Sequence, residues 1–115
     1  MKLLQIISTL VLLTSVASAN PIGGGKVATG LLNPGQTVTY TVPCYANQDT
    51  TFALRGDGDG DIDCCVYDGS GNTVDCDTDS TDTCLLHVLP RWTGTFYFKA
   101  TNNGRYGSYY TFVAQ

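Results

Sequence analysis

The residues of this 115-residue chain best able to do chemistry are its aspartates, and nine of the ten acidic residues lie between Asp57 and Asp82. The run Gly56-Asp57-Gly58-Asp59-Gly60-Asp61-Ile62-Asp63 sets four of them at two-residue spacing. In an extended chain those carboxylates leave one face of the backbone. Neighbours on that face are about 6.6 Å apart, and at an effective dielectric near 20 each adjacent pair repels by roughly 2 kcal/mol. A cation relieves that repulsion. Hard oxygen ligands without a His or Cys cluster of zinc spacing select Ca2+ before a transition metal, although glycine-rich and aspartate-rich runs also form solvated loops. The candidate metal ligands are Asp57, Asp59, Asp61, Asp63, Asp77, Asp79 and Asp82. The run is not an EF-hand, because Ile62 replaces the loop's sixth-position Gly and Asp68 its twelfth-position Glu. The expected site instead joins Asp61 or Asp63 to Asp77, Asp79 or Asp82 from the neighbouring loop, as a structural calcium site.

Catalytic constellations are weak. Asp77-Thr78-Asp79 lacks the Gly of an aspartic-protease signature, and Ser70 lacks the Gly-x-Ser-x-Gly elbow and its α/β setting. His87 is the single histidine, in an apolar strand, and no base stands beside any cysteine. With no glutamate the chain also lacks the usual acid and base of many glycosidases. A non-enzyme is expected. Arg55-Gly56-Asp57 spells an integrin tripeptide, read here as incidental. The weak candidates for ligand binding are Trp92, Tyr97, Arg105, Tyr106 and Tyr109, because exposed aromatic rings stack on sugars or pack against protein partners.

The ends and composition bound the setting. Met1 to Ala19 reads as a secretory signal peptide, with Lys2, an apolar stretch from Leu3 to Val16, and a small-residue site at Ala17-Ser18-Ala19. Removing 19 of 115 residues leaves 96, one small domain behind a short leader over 20–25. A secreted, extracellular protein is expected. No second apolar stretch is long enough to span a bilayer. Six basic residues, less Lys2, face ten aspartates, which argues against nucleic acid or an anionic membrane as partner. The odd count of five cysteines, Cys44, Cys64, Cys65, Cys76 and Cys84, leaves at least one unpaired and allows a dimer through it. Five choices of odd residue and three pairings of the rest give fifteen two-bridge patterns, so spacing does not settle connectivity. Adjacent Cys64 and Cys65 point to opposite faces of a strand.

These residues must be positioned by strands. Val38, Tyr40 and Val42 alternate with threonines, and Ile62, Cys64 and Val66 alternate with polar neighbours. Alternation in the last strands sends Phe96, Phe98, Tyr110 and Phe112 inward and leaves Tyr97 and Tyr109 outside. Strands are expected over 36–42, 50–54, 62–67 and 73–76, and near 26–31, 84–89, 95–100 and 109–113, with Asp68 to Asn72 as a hairpin turn. About eight short strands make an all-β, antiparallel β-sandwich, jelly-roll-like.

Over residues 26–115 the chain resembles a bacterial pre-peptidase C-terminal domain, a β-sandwich related to collagen-binding modules. The match lies in Gly60-Asp61-Ile62-Asp63-Cys64-Cys65-Val66, in Asp75-Cys76 with Asp82-Thr83-Cys84, in Pro90 with Thr93-Gly94-Thr95-Phe96-Tyr97-Phe98, and in Gly107-Ser108-Tyr109-Tyr110-Thr111-Phe112. The resemblance implies a Cys76 to Cys84 disulfide, a small ring contributing roughly 2 to 3 kcal/mol. Cys44 then pairs with Cys65 or stays free, and Cys64 acts as a small buried apolar residue. With no protease ahead of it, the chain is expected to be a stand-alone secreted module that binds an extracellular glycan or protein with associated calcium. The alternative is a secreted effector or toxin acting on a host or competing cell.

Overall fold

In a computed structural model, described for residues 26–115 except Asp59, the apolar alternation forms eight strands. They are β1 (Lys26–Leu32), β2 (Thr37–Cys44), β3 (Thr50–Arg55), β4 (Ile62–Tyr67), β5 (Thr73–Asp77), β6 (Thr83–Val88), β7 (Gly94–Asn102) and β8 (Ser108–Ala114). The expected signal peptide over 1–19, the expected leader over 20–25 and the candidate ligand Asp59 fall outside the described residues. Each expected strand is present.

The strands form two four-stranded antiparallel sheets, ordered β1-β8-β3-β6 and β2-β7-β4-β5, as an all-β sandwich. Consecutive strands change sheet at every connection except β4 to β5. That hairpin is set by Asp68, whose carboxylate accepts the Ser70 and Asn72 amides at 2.9 Å each, while Gly71 takes the left-handed φ of 88° that the turn needs.

Inward positions carry the large side chains. Phe52, Phe98 and Phe112 are fully buried, Phe98 and Phe112 lie 4.5 Å apart between centroids, and Tyr40 stacks on Phe112 at 4.6 Å. Burying each such ring stabilises the fold by about 1.5–3 kcal/mol, and a well-placed aromatic pair adds about 0.5–1.5 kcal/mol. Phe96, Phe98, Tyr110 and Phe112 point inward as alternation requires, and Tyr109 points out.

The sandwich has two loop-bearing ends. At one, the β2–β3 and β6–β7 loops meet through the Asn47 amide and the Pro90 carbonyl. At the other, Gly56 donates to the Asp82 carbonyl, Ile62 to Thr81 and Asn103 to Asp61, so three loops are stitched together where the aspartates gather.

The cysteine pairing implied by the resemblance is corrected. Cys76 and Cys84 are both disulfide-bonded, but to different partners: Cys65 with Cys76, and Cys64 with Cys84. Cys65 and Cys76 face each other across β4 and β5, whereas Cys84 points into the core from β6, in the other sheet, where it meets the inward Cys64. Cys64 is thus an inter-sheet crosslink rather than a packed thiol. Cys44 is the free cysteine and is buried, so a dimer through the odd cysteine would require the domain to open.

Candidate functional site

The acidic end divides its carboxylates among separate tasks. Asp57, just past β3, accepts from the Ser108 hydroxyl and the Tyr109 amide, both at 3.3 Å. Its oxygens therefore serve the start of β8, consistent with an incidental Arg55-Gly56-Asp57 tripeptide. Asp82 is only 6% exposed, and its carboxylate accepts the Gly58 amide at 2.6 Å. Asp79 accepts the Thr81 amide and hydroxyl, and these bonds, the hydroxyl's first, hold its carboxyl below the usual range. Asp77 reaches across the sandwich edge to the Leu85 amide at 3.1 Å, and Asp75 does the same for His87 at 3.2 Å. An alternating run of aspartates reads from sequence as a ligand set. Much of it here caps backbone N–H groups.

Asp61 and Asp63 differ from the rest. Asp61 Oδ1 is buried with no hydrogen-bond partner. Asp63 accepts from Asn103 Nδ2 at 2.6 Å, yet partial burial and then the like charge of Asp61 push its carboxyl above the usual range, with Asp79 and Asp77 adding smaller repulsions. Among the described residues no three of His, Cys, Asp and Glu converge as an ion-holding group. Asp61 and Asp63 are set apart in this way from the other described carboxylates: one oxygen lacks a donor, and burial, then like charge, raises the other group.

The five candidate ligand-binding residues do not form one face. Tyr97 lies on the outer face of β2-β7-β4-β5, between Thr41 and Tyr67. Tyr109 lies on the outer face of the opposite sheet, 68% exposed and paired with Leu31. Trp92 sits in the β6–β7 loop at one end of the sandwich, and Arg105 and Tyr106 in the β7–β8 loop at the other. Strand parity told in from out but not which sheet was which.

The outer surface that does cohere belongs to β1-β8-β3-β6. Val27, Val113, Ala53 and Leu85 stand in register across all four strands, and beside them run Thr29, Thr111, Arg55 and Thr83, then Leu31 and Tyr109. None of these is a carboxylate. The corresponding rows of the other sheet are Thr41, Tyr97 and Tyr67; Thr39, Lys99, Cys65 and Cys76; and Thr37, Thr101 and Asp63.

The architecture matches a solved structure, the pre-peptidase C-terminal domain of a collagenase from Bacillus anthracis, with a TM-score of 0.63 over 79% of this chain and 89% of that one, at 12% identity. The fold is that of a pre-peptidase C-terminal domain. No family model and no curated protein matches the sequence. At this identity the likeness is one of fold, and the side chains must be argued on their own. The two disulfides of this pre-peptidase C-terminal fold are compatible with an extracellular location, and no described helix is long and apolar enough to cross a membrane.

Two buried residues that build the acidic end were not among the candidate site residues read from the sequence. Asn102 is fully buried at the end of β7, where its amide donates to the Leu32 and Tyr106 carbonyls and its oxygen accepts the Gly104 amide. Ser108, also fully buried, anchors Asp57. The available signal for Asn102 was a polar residue at an inward position of a strand, which must find partners when buried.

Proposed function

We propose that this domain is a non-catalytic binding module for an extracellular glycan, engaging it through the outer face of β1-β8-β3-β6. The observation that carries this reading is that face itself. Its exposed Val27, Leu31, Leu85 and Tyr109 stand in rows free of carboxylate, on a chain that is otherwise acidic. An exposed tyrosine ring flanked by threonine hydroxyls supplies stacking and hydrogen bonding together, as a sugar ring requires. The likeness in fold to a C-terminal domain of a collagenase is in keeping with an accessory role.

The deciding experiment is a saccharide array probed with the oxidised domain and with Tyr109→Ala. Saccharide binding that the substitution weakens at least about tenfold is expected. Absence of any saccharide binding, with capture of an extracellular matrix protein or growth inhibition of a second organism instead, would replace this reading with a protein ligand or an effector role.

Calcium belongs to the same proposal as a structural partner of Asp61 and Asp63, where a cation would satisfy the unpartnered oxygen and relieve the like-charge repulsion.

A further inference from the structure

We infer that the groove crossing β1, β8 and β3 takes a carboxylate-bearing sugar, with Arg55 gripping the carboxylate and Tyr109 stacking on the ring. The groove is a shallow, open one of about 520 Å³, bordered by Thr29, Leu31, Arg55, Tyr109 and Thr111, its volume within the roughly 300–1,000 Å³ of small-ligand sites. Register fixes its layout. Thr29 is paired with Thr111 and Thr111 with Arg55, so two hydroxyls and a guanidinium share one row. Leu31 is paired with Tyr109 in the next row. Tyr109 is therefore the diagonal neighbour of Arg55, a separation on the order of 7–8 Å that a pyranose ring can bridge.

The guanidinium is what narrows the ligand. The backbone of Arg55 is paired with Thr83 and Thr111, and among the described residues no hydrogen bond or ion pair engages its guanidinium. The carboxylate two residues along, Asp57, instead accepts from Ser108 and Tyr109. Asp57 thus braces the tyrosine's backbone. A guanidinium presents a planar fork of donors that matches a carboxylate bidentately, and the threonine hydroxyls can donate to or accept from ring hydroxyls. Apolar Leu31 and the tyrosine ring suit the C–H face of a sugar. The net negative charge of the chain does not forbid this, since charges beyond about 8 Å are largely screened at physiological ionic strength, and Asp57, the carboxylate that borders the groove, is bonded to the Ser108 hydroxyl and the Tyr109 amide.

This inference rests on the glycan-binding reading, and the test separates the two. The oxidised domain would be titrated calorimetrically with short oligosaccharides ending in glucuronate, galacturonate or sialate, and with their neutral counterparts lacking the carboxylate. At least one acidic probe is expected to bind about tenfold or more tightly than its neutral counterpart. Arg55→Gln should erase that preference and Tyr109→Ala weaken both classes, while Lys99→Gln, on the opposite sheet, changes nothing. Arg55 and Tyr109 are exposed, so unchanged unfolding midpoints would verify that the variants fold. Neutral probes binding as well as acidic ones, or an Arg55→Gln variant that keeps the preference, would overturn the acidic-sugar assignment and leave glycan binding standing. No saccharide binding at all would overturn both, and an acidic peptide displaced by Arg55→Gln under those conditions would make the groove a protein site.

Discussion

The aspartates of the acidic end differ from one another chiefly in what donates to them. Asp79 is held by Thr81, Asp82 by Gly58 and Asp57 by Ser108 and Tyr109, and the Thr81 bonds hold the Asp79 carboxyl below the usual range. Asp63 is under the opposite pressure, because burial and Asp61 outweigh its bond from Asn103. A carboxyl whose native pKa lies above its unfolded value holds more protons native than unfolded just above the ordinary carboxylate range. Stability accordingly falls as the pH rises through that window, and the loss is complete above it. In EDTA at neutral pH, Asp63→Asn is therefore expected to add about 0.2–1 kcal/mol of stability, the scale of exposed charge pairs, read as a higher thermal midpoint. The parent is expected to show a saturable calcium-dependent rise that magnesium does not reproduce, and the same variant should lose it. A lower midpoint in EDTA would mean that the Asn103 bond outweighs the repulsion, and a parent insensitive to calcium would remove the metal from the proposal. Cys44 gives a second residue-scale test. Burial pushes its thiol up to about 11, against a smaller opposing effect of Thr50, so iodoacetamide at pH 8 should leave the native domain unlabelled and modify one thiol per chain in denaturant without reductant. Native labelling would contradict its burial.

Among the strands, β5 is the most weakly buried, with no buried residue along its length. It is tied to β4 by pairing and by Cys65–Cys76, and its carboxylates cover the Leu85 and His87 amides of β6, the edge strand of the other sheet. An uncovered strand edge is a template for another chain. Asp77→Ala should accelerate hydrogen exchange at Leu85, and Asp75→Ala at His87, each by about tenfold, a conservative figure for loss of one charge-assisted bond at a partly exposed site. Exchange by NMR reads each amide separately, and unchanged rates would show that the carboxylates cover nothing. The strands themselves were legible because period-two alternation is local: Ile62, Cys64 and Val66 show their burial within six residues. What Asp75 and Asp77 do was not, since an alternating acid run looks the same whether its oxygens face a cation or the amides of a strand in the other sheet. The pairing of Cys65 with Cys76 rather than Cys76 with Cys84 likewise depends on β4–β5 register and on which sheet β6 joins. Tyr97 and Tyr109 share outward parity but fall on opposite faces for the same reason.

At the scale of the whole molecule, the two sides of the sandwich are closed by different means. On the β5–β6 side Cys64–Cys84 binds sheet to sheet covalently, with both cysteines within the core. On the β1–β2 side the sheets meet through the buried 2.5 Å contact of the Tyr40 and Tyr110 hydroxyls, with the Lys26 ammonium 5.4 Å from the Tyr40 ring centroid. Burial pulls the Lys26 amine down to about 8 and pushes both tyrosine hydroxyls up. The covalent side should therefore carry more of the resistance to heat. Loop-closure entropy assigns the two disulfides similar contributions, about 3 kcal/mol each for their sequence separations of 20 and 11. Entropy alone does not distinguish them, but location does. Replacing Cys65 and Cys76 by Ala removes a crosslink from a partly exposed surface, and about 3 kcal/mol corresponds to roughly 12–24 °C for a domain of this size. Replacing Cys64 and Cys84 by Ala also empties buried space between the sheets, which adds a cavity cost, so this pair should have the lower midpoint. Reduction should follow the same geography. Graded dithiothreitol followed by alkylation and peptide mapping is expected to label Cys65 and Cys76 while Cys64 and Cys84 remain bonded, because attack on a disulfide requires access to sulfur. Earlier labelling of Cys64 and Cys84, or an equal midpoint for the two double variants, would mean that the inter-sheet bond is neither shielded nor the stronger tie.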